Sequence, residues 1–352
     1  METPRFPHRA LVEFAAALLT EAGLEAAKSD SVARILVEAD LLGHDTHGLA
    51  QCADYVDELK SGAMASTGGV EVIADYPAAA VWDGRRLPGP FLVEQAIATT
   101  TAKAASCGTG TVIIRHSHHI ACLGAFLEAP ARAGKVVLIA CSDPSVATVA
   151  PVGGVTPVMT PNPLAIGYPT AGDPVMIDIS TSITTNALVG RAKRAGGVLS
   201  GRWLVDNKGC ASDDPAVLET TPPGALLPVG GLDHGHKGFG LGLAVEALTQ
   251  GLAGFGRAEA PRHWGAEVFV QVLDPALFAG TAAFNRETGW LAGSCRAARP
   301  ADPERPVRLP GEAGLRRKAE RLRNGVPIRV ETWAALSACA ERAGVARPTP
   351  LP

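Results

Sequence analysis

Gly43-His44-Asp45-Thr46-His47-Gly48 is a polar knot between two apolar helical patterns, and the reading of the chain works outward from it. Upstream, Val32, Ile35, Leu36, Ala39 and Leu42 follow the i, i+3, i+4, i+7 spacing of a buried helix face. Gly43 is a natural stop for that helix. Downstream, Leu49, Cys52, Val56 and Leu59 form a second apolar stripe ending at Gly62. A helix beginning near His47 sets His47, Gln51 and Tyr55 on one face by i+4 steps, apart from the apolar face. A titratable ring, an amide and a phenol in a row suit a small-molecule site. Three roles compete for the knot. His44 and Asp45 can cap the second helix, one His can be catalytic, or two His at an i, i+3 spacing can hold a metal. The structural role comes first in weight and the metal last.

Composition narrows the options. Of 352 residues, 32 are Lys or Arg and 35 are Asp or Glu, a net charge of -3. No basic stripe with interleaved aromatics occurs, so nucleic acid is not an expected partner. The seven Cys are odd in number and scattered, with no C-x-x-C. That argues for reduced thiols in a cytoplasmic protein, against a disulfide frame and against structural zinc. The N-terminal apolar run, with Ala10, Leu11, Phe14, Leu18 and Leu19 on one side, reads as an amphipathic helix rather than a signal peptide. No stretch is long and apolar enough to span a membrane.

Further along, residues 69–83 change to a strand period and close at Asp83-Gly84, and a helix runs from Pro90 to Cys107. The buried strand Thr111-Val112-Ile113-Ile114 runs into Arg115-His116-Ser117-His118-His119, a rigid element ending in a polar cluster. Strands follow at 136–140, 164–168 and 175–179, the last interrupted by Asp178. An unpaired carboxylate there is costly, and orienting an imidazole is one use for it. Residues 191–228 read as an exposed connection or flap. Gly230 to Gly238 form a Gly-rich turn that opens a helix through Leu252, with Lys237 placed for an anion at its start. The turn matches neither a P-loop nor a dinucleotide fingerprint. Glu267–Leu273 is a strand, 293–309 a Pro- and Arg-rich loop, and 312–323 a charged helix with a solvated basic face. A last helix spans 333–343, and 347–352 reads as a disordered tail.

In order along the chain, several short motifs resemble those of the type-2 malate/L-lactate dehydrogenase family, which includes ureidoglycolate and sulfolactate dehydrogenases, 2,3-diketogulonate reductase and the Δ1-piperideine-2-carboxylate reductases. Asp45-Thr46-His47-Gly48 resembles its D-S-H-G, Ser117-His118-His119 its S-N-H, and Asn162-Pro163 its G-T-N-P turn. Asp178-Ile179-Ser180-Thr181-Ser182 is similar to D-M-A-T-S, Lys237-Gly238-Phe239-Gly240-Leu241 to K-G-Y-G-L, and Pro310-Gly311-Glu312 with Gly325-Val326-Pro327-Ile328 to its C-terminal pattern. The likeness runs from about residue 10 to 345.

The resemblance implies an α/β (α+β-like) fold: a non-Rossmann nicotinamide-binding fold with a mainly antiparallel central sheet and helical N- and C-terminal parts. The implied divisions are an N-terminal helical region over 1–70, a sheet and cofactor domain over 71–290, and a C-terminal helical region over 291–352. It implies NAD or NADP as cofactor, a small-molecule substrate, no metal and a homodimer. The implied reaction interconverts a 2-keto acid or cyclic imine acid with the 2-hydroxy acid or cyclic amino acid. His47 or His119 moves the proton, Thr46 is a hydroxyl partner and Asp178 orients an imidazole. Gln51, Tyr55 and Asn162 contact substrate. Asp178, Ile179, Ser180, Thr181, Ser182, His236, Lys237, Gly311 and Glu312 hold the cofactor. Where the family commonly carries an Arg four residues after the signature His, this chain has Gln51, without charge or bidentate fork. That points away from small 2-keto acids such as oxaloacetate, toward a bulkier, less charged or cyclic-imine substrate in a specialised pathway. Two other readings stay open: a catalytically silent nicotinamide binder, and a metal-dependent hydrolase using His44, His47 and the 116–119 cluster.

Overall fold

The computed structural model describes residues 3–351. Its centre is a seven-stranded sheet in the order 71–75, 79–83, 109–117, 266–273, 136–142, 164–168, 175–179. One neighbouring pair, Ala79–Asp83 with Thr109–Ser117, is parallel; the others are antiparallel. Ala266–Leu273 is the middle strand and is buried over most of its length. Val268, Val270 and Val272 face one way, into a core shared with Leu92, Val93 and Ala96 of the Gly89–Cys107 helix. Phe269 faces the other way, against Ile113, Ala140, Val245 and Ala253. A strand covered on both faces reads as a near-continuous apolar run, which is why Glu267–Leu273 is legible as a strand but its central position is not.

The sequence places the first helices well. Helices span His8–Glu21 and Ala26–Leu42, and Gly43 ends the second in a left-handed conformation with φ +96°. The next helix does not begin near His47. A turn occupies 45–48, a short 3-10 segment spans Leu49–Gln51, and the α-helix runs Cys52–Lys60. The cause is Asp40, whose buried carboxylate accepts the Leu49 N–H at 2.8 Å and so caps the helix from the preceding one. His47 therefore precedes the helix and shares no regular helical face with Gln51 and Tyr55.

Three other expectations are corrected. Residues 191–228 are not simply a flap. Leu204–Val205, Ala211–Ser212 and Ala225–Leu226 form a small sheet, and Leu204 and Leu226 join Val149, Met159 and Val189 in a separate core. The basic side chains of the Glu312–Asn324 helix are not all solvated. Lys318 lies 2.5 Å from Glu38 and 2.8 Å from Glu128, and Arg321 donates to the Asp40 carbonyl. The chain after 347 is ordered as far as it is described, since the Leu351 N–H donates to the Arg5 carbonyl at 2.7 Å; Pro352 lies outside the described residues. The segments near the two ends of the described chain meet in this way. Arg5–Phe6 pairs antiparallel with Val326–Pro327, and the Phe6 ring lies 4.3 Å from that of Trp333.

Candidate active site

The polar knot and the end of the Thr109–Ser117 strand come together. The rings of His47 and His119 are 5.9 Å apart between centroids and inclined by 31°. Each is held through Nδ1. Thr46 Oγ1 is 2.8 Å from Nδ1 of His47, and the Tyr55 hydroxyl is 2.9 Å from Nδ1 of His119. Neither Nε2 has a hydrogen-bond partner among the described residues. The site is therefore two imidazoles, anchored from behind, with their outer nitrogens free.

Burial decides their charge. It holds His119 well below the usual histidine range, and the neighbouring His47 and His118 push the same way. Burial also lowers His47, partly offset by the negative charge of Asp178. Both rings are thus biased toward the neutral form at pH 7. Tyr55 is itself fully buried, which raises its phenol well above the ordinary value and keeps its proton in place. That one proton has two acceptors, Nδ1 of His119 and the His119 carbonyl at 3.1 Å. Donated to Nδ1, it leaves the ring proton on Nε2. Donated to the carbonyl, it lets Nδ1–H donate back to the phenol oxygen and leaves Nε2 a lone pair. Tyr55→Phe is accordingly expected to lower kcat by about tenfold, one step on the scale of a lost hydrogen bond to a reacting group. KM should not change, and steady-state kinetics reads both.

Sequence reasoning missed the wall behind His119. Trp264 stacks on that ring at 4.8 Å, and His118, fully buried, meets Trp264 edge-on at 5.0 Å. His118 is fixed by Glu58, 3.0 Å from its Nε2. Trp264 sits in a turn-rich segment with no periodic signal. A cavity of about 460 Å³ opens beside it, lined by Asp83, Arg86, His116, Phe255 and His263 among others. A wider cleft lies elsewhere: about 1100 Å³ along the Glu312–Asn324 helix, with Arg305, Arg308, Arg316 and Arg317 on its walls. Its rim includes Gly311, not the imidazoles.

Other expected site residues divide. Gln51 donates its amide N–H to the Thr46 carbonyl at 2.8 Å, which braces the knot. Asp45 is engaged by Arg191 at 3.1 Å and by Arg329, so it neither caps a helix nor faces a ring. Asp178 makes no hydrogen bond to either imidazole among the described residues. Its Oδ2 accepts the Gly124 N–H at 2.7 Å and lies 3.5 Å from the Cys122 thiol. Asn162 is fully buried and internally satisfied. It accepts from Thr160 at 2.6 Å and donates to Glu246 at 2.9 Å, a brace rather than an open contact.

The expected cofactor residues do cluster. The Thr181 carbonyl accepts the Val229 N–H, and Gly238 packs so closely that a Cβ there would lie 2.3 Å from Val229 N and 2.7 Å from the Thr181 carbonyl. This docks the start of the His236–Glu246 helix onto Ser180–Ser182, with His236 and Lys237 exposed at its first turn. Gly311, at φ +95°, is pressed on Met176, two residues before Asp178. Both carboxylate oxygens of Glu312 are taken internally, by Arg296 at 2.6 Å and the Leu309 N–H at 3.0 Å.

Known proteins resemble this chain over most of its length. The malate dehydrogenase of Pyrococcus horikoshii is 29% identical over 97% of this chain and 96% of its own. A Δ1-pyrroline-2-carboxylate reductase from Ancylobacter novellus is 28% identical over 92% and 94%. The solved structure of the Pyrococcus horikoshii malate dehydrogenase superposes with a TM-score of 0.86, at 28% identity and covering 97% of this chain and 96% of that one. The model of the malate/L-lactate dehydrogenase family matches residues 6–337, and the chain is a member of that family, a dehydrogenase of its type.

Proposed function

We propose that this dehydrogenase uses NAD or NADP to interconvert a 2-keto acid, or a cyclic imine acid, with its 2-hydroxy or cyclic amino counterpart. The observation that carries the reading is the pair of anchored imidazoles with free outer nitrogens, beside a segment suited to a dinucleotide. The residues fit such a group. Lys237 and His236 at a helix N-terminus favour phosphate, and the Ser180 oxygen, whose own proton goes to the Ser182 carbonyl at 2.8 Å, can accept from a ribose hydroxyl. When bound, the nicotinamide supplies or accepts the hydride. In this reading the antiparallel sheet binds the dinucleotide without a Rossmann motif, the three regions 1–70, 71–290 and 291–352 work as units, and the protein acts as a homodimer in the cytoplasm.

His119 holds the travelling proton at Nε2. In reduction it donates to the forming alkoxide or amine, and in oxidation the neutral ring removes the proton. His47, across the gap, hydrogen-bonds the same substrate atom, and Trp264 excludes water behind His119. Because burial lowers the His119 pKa, the oxidative rate should stay flat as pH falls through about 6.5, the unperturbed histidine value, and decline only below it. An acid limb at or above that pH in kcat/KM contradicts the assignment.

Gln51 bears on the substrate. Its amide is spent on Thr46 and carries no charge, so a second carboxylate gains little there. Gln51→Arg is expected to raise kcat/KM for oxaloacetate relative to a cyclic imine by about tenfold, the worth of a charge-assisted hydrogen bond. Unchanged preference would sink the substrate argument. The class itself is tested by NADH and NADPH binding, then by loss of nicotinamide absorbance with 2-keto acids and cyclic imines. Binding with turnover supports it, and binding of neither nucleotide overturns it.

A further inference from the structure

We propose that His44, Cys122 and Asp178 form a binding site for a borderline divalent cation, zinc being the best match, and that metal bound there inhibits the enzyme. A ring nitrogen of His44, the Cys122 sulfur and a carboxylate oxygen of Asp178 all lie within 4.8 Å of one another. In a tetrahedral zinc centre neighbouring donors stand about 3.5 Å apart, so the gap to close is on the order of 1 Å. The chain can close it. His44 is exposed and its side chain makes no hydrogen bond among the described residues, so its ring is free to turn inward. Asp178 is held at Oδ2 by the Gly124 N–H, 2.7 Å away, while Oδ1 has no protein partner among the described residues. Gly124 leaves room for that contact: a Cβ there would lie 2.9 Å from the same oxygen.

The donor set selects the metal. One imidazole, one thiol and one carboxylate suit zinc and discriminate against magnesium and calcium, which take oxygen. Binding proceeds with loss of the Cys122 thiol proton to solvent, so the metal–sulfur bond replaces the S–H bond and no oxidant or reductant is needed. Three protein ligands leave a fourth position for water. His47 and His119 are not part of the group, whose mutually close donor atoms come from His44, Cys122 and Asp178. The three residues are far apart in sequence, which is why no ligand spacing announces them.

Inhibition follows from Asp178. It begins the segment assigned above to the dinucleotide, so metal and nucleotide compete for one strand end. The inhibitory half of this inference rests on that functional reading; the binding half does not.

The test uses the full chain after chelator treatment, titrated with cobalt(II) as a spectroscopic stand-in for zinc. The expected result is a near-ultraviolet thiolate-to-cobalt charge-transfer band saturating at one equivalent. The band is absent in Cys122→Ala, and its midpoint moves to at least tenfold higher cobalt in His44→Ala. His44 is on the surface, so this second variant keeps the test valid should Cys122→Ala fold poorly. No band in the wild-type protein overturns the site. A band that persists unchanged in both variants does too, because it then belongs to a surface thiol such as Cys107 or Cys210. Zinc should weaken NADH binding in the wild type and not in Cys122→Ala. A protein that shows the cobalt band yet binds neither nucleotide, with or without metal, retains the metal site and loses the proposed function. A protein that binds NADH equally well with and without zinc loses the inhibitory half.

Discussion

Replacing His119 with glutamine should cut turnover at saturating substrate by about 10²–10⁴-fold, the span usual for a lost general acid–base group. On the barrier this is roughly 3–5 kcal/mol. Glutamine keeps a polar atom within reach of the Tyr55 hydroxyl, 2.9 Å from Nδ1 in the parent, and so preserves the packing under Trp264. It has no ring nitrogen to carry a proton. Nucleotide affinity should hold, because the residues assigned to the dinucleotide lie on other segments, and fluorescence titration with NADH reads that separately from turnover. The companion variant His47→Gln discriminates between the two rings. It removes a hydrogen bond to the substrate and should fall less far. If His47→Gln instead abolishes turnover while His119→Gln keeps most of it, the proton belongs to His47.

Gly48→Ala is expected to destabilise the protein by about 1–3 kcal/mol through overpacking and to remove most activity by displacing His47. A Cβ at this position would lie 2.5 Å from Cγ and Oδ1 of Asp40 and 2.6 Å from Oδ2. Asp40 has little freedom to yield. It is 4% exposed and its Oδ2 accepts the Leu49 N–H. Burial pushes its carboxyl up to about 7 against the pull of that hydrogen bond. Denaturant unfolding measures the loss. Asp40→Ala alone is also costly, because it strands the Leu49 N–H. The two losses should not add, since the smaller residue at 40 removes the clash at 48. A fully additive double variant would show that Gly48 matters for some other reason.

The same contact shows what the sequence could and could not say. Gly43 announces the end of the Ala26–Leu42 helix by itself, because a left-handed residue after an apolar stripe is a local signal. The start of the next helix is not local. Its cap, Asp40, lies on the other side of the knot, and the i+4 argument for a shared face of His47, Gln51 and Tyr55 fails there, although Tyr55 still reaches His119. Motif order brought the Asp178–Ser182 and His236–Lys237 segments to notice; that they touch rests on Gly238 packing against Val229 and Thr181. Trp264, Glu58 and Cys122 carried no readable pattern, because stacking, second hydrogen bonds and a lone thiol leave no periodicity. The residues 191–228 misled for a different reason: their strands are two residues each, too short to alternate.

The pairing of Arg5–Phe6 with Val326–Pro327 sets a timetable for biosynthesis. At about 5–20 residues per second, tens of seconds pass on the ribosome between the appearance of Phe6 and that of Val326. Through that interval the first helices lack the strand partner at 326 and the Trp333 ring, so part of their apolar surface faces solvent or a chaperone. Docking of the last segment is a long-range closure that adds little to local order but completes the shared layer. Chains truncated before residue 326 should accordingly be far more sensitive to protease at the amino end than the 352-residue chain, which supplies the strand partner and the Trp333 ring.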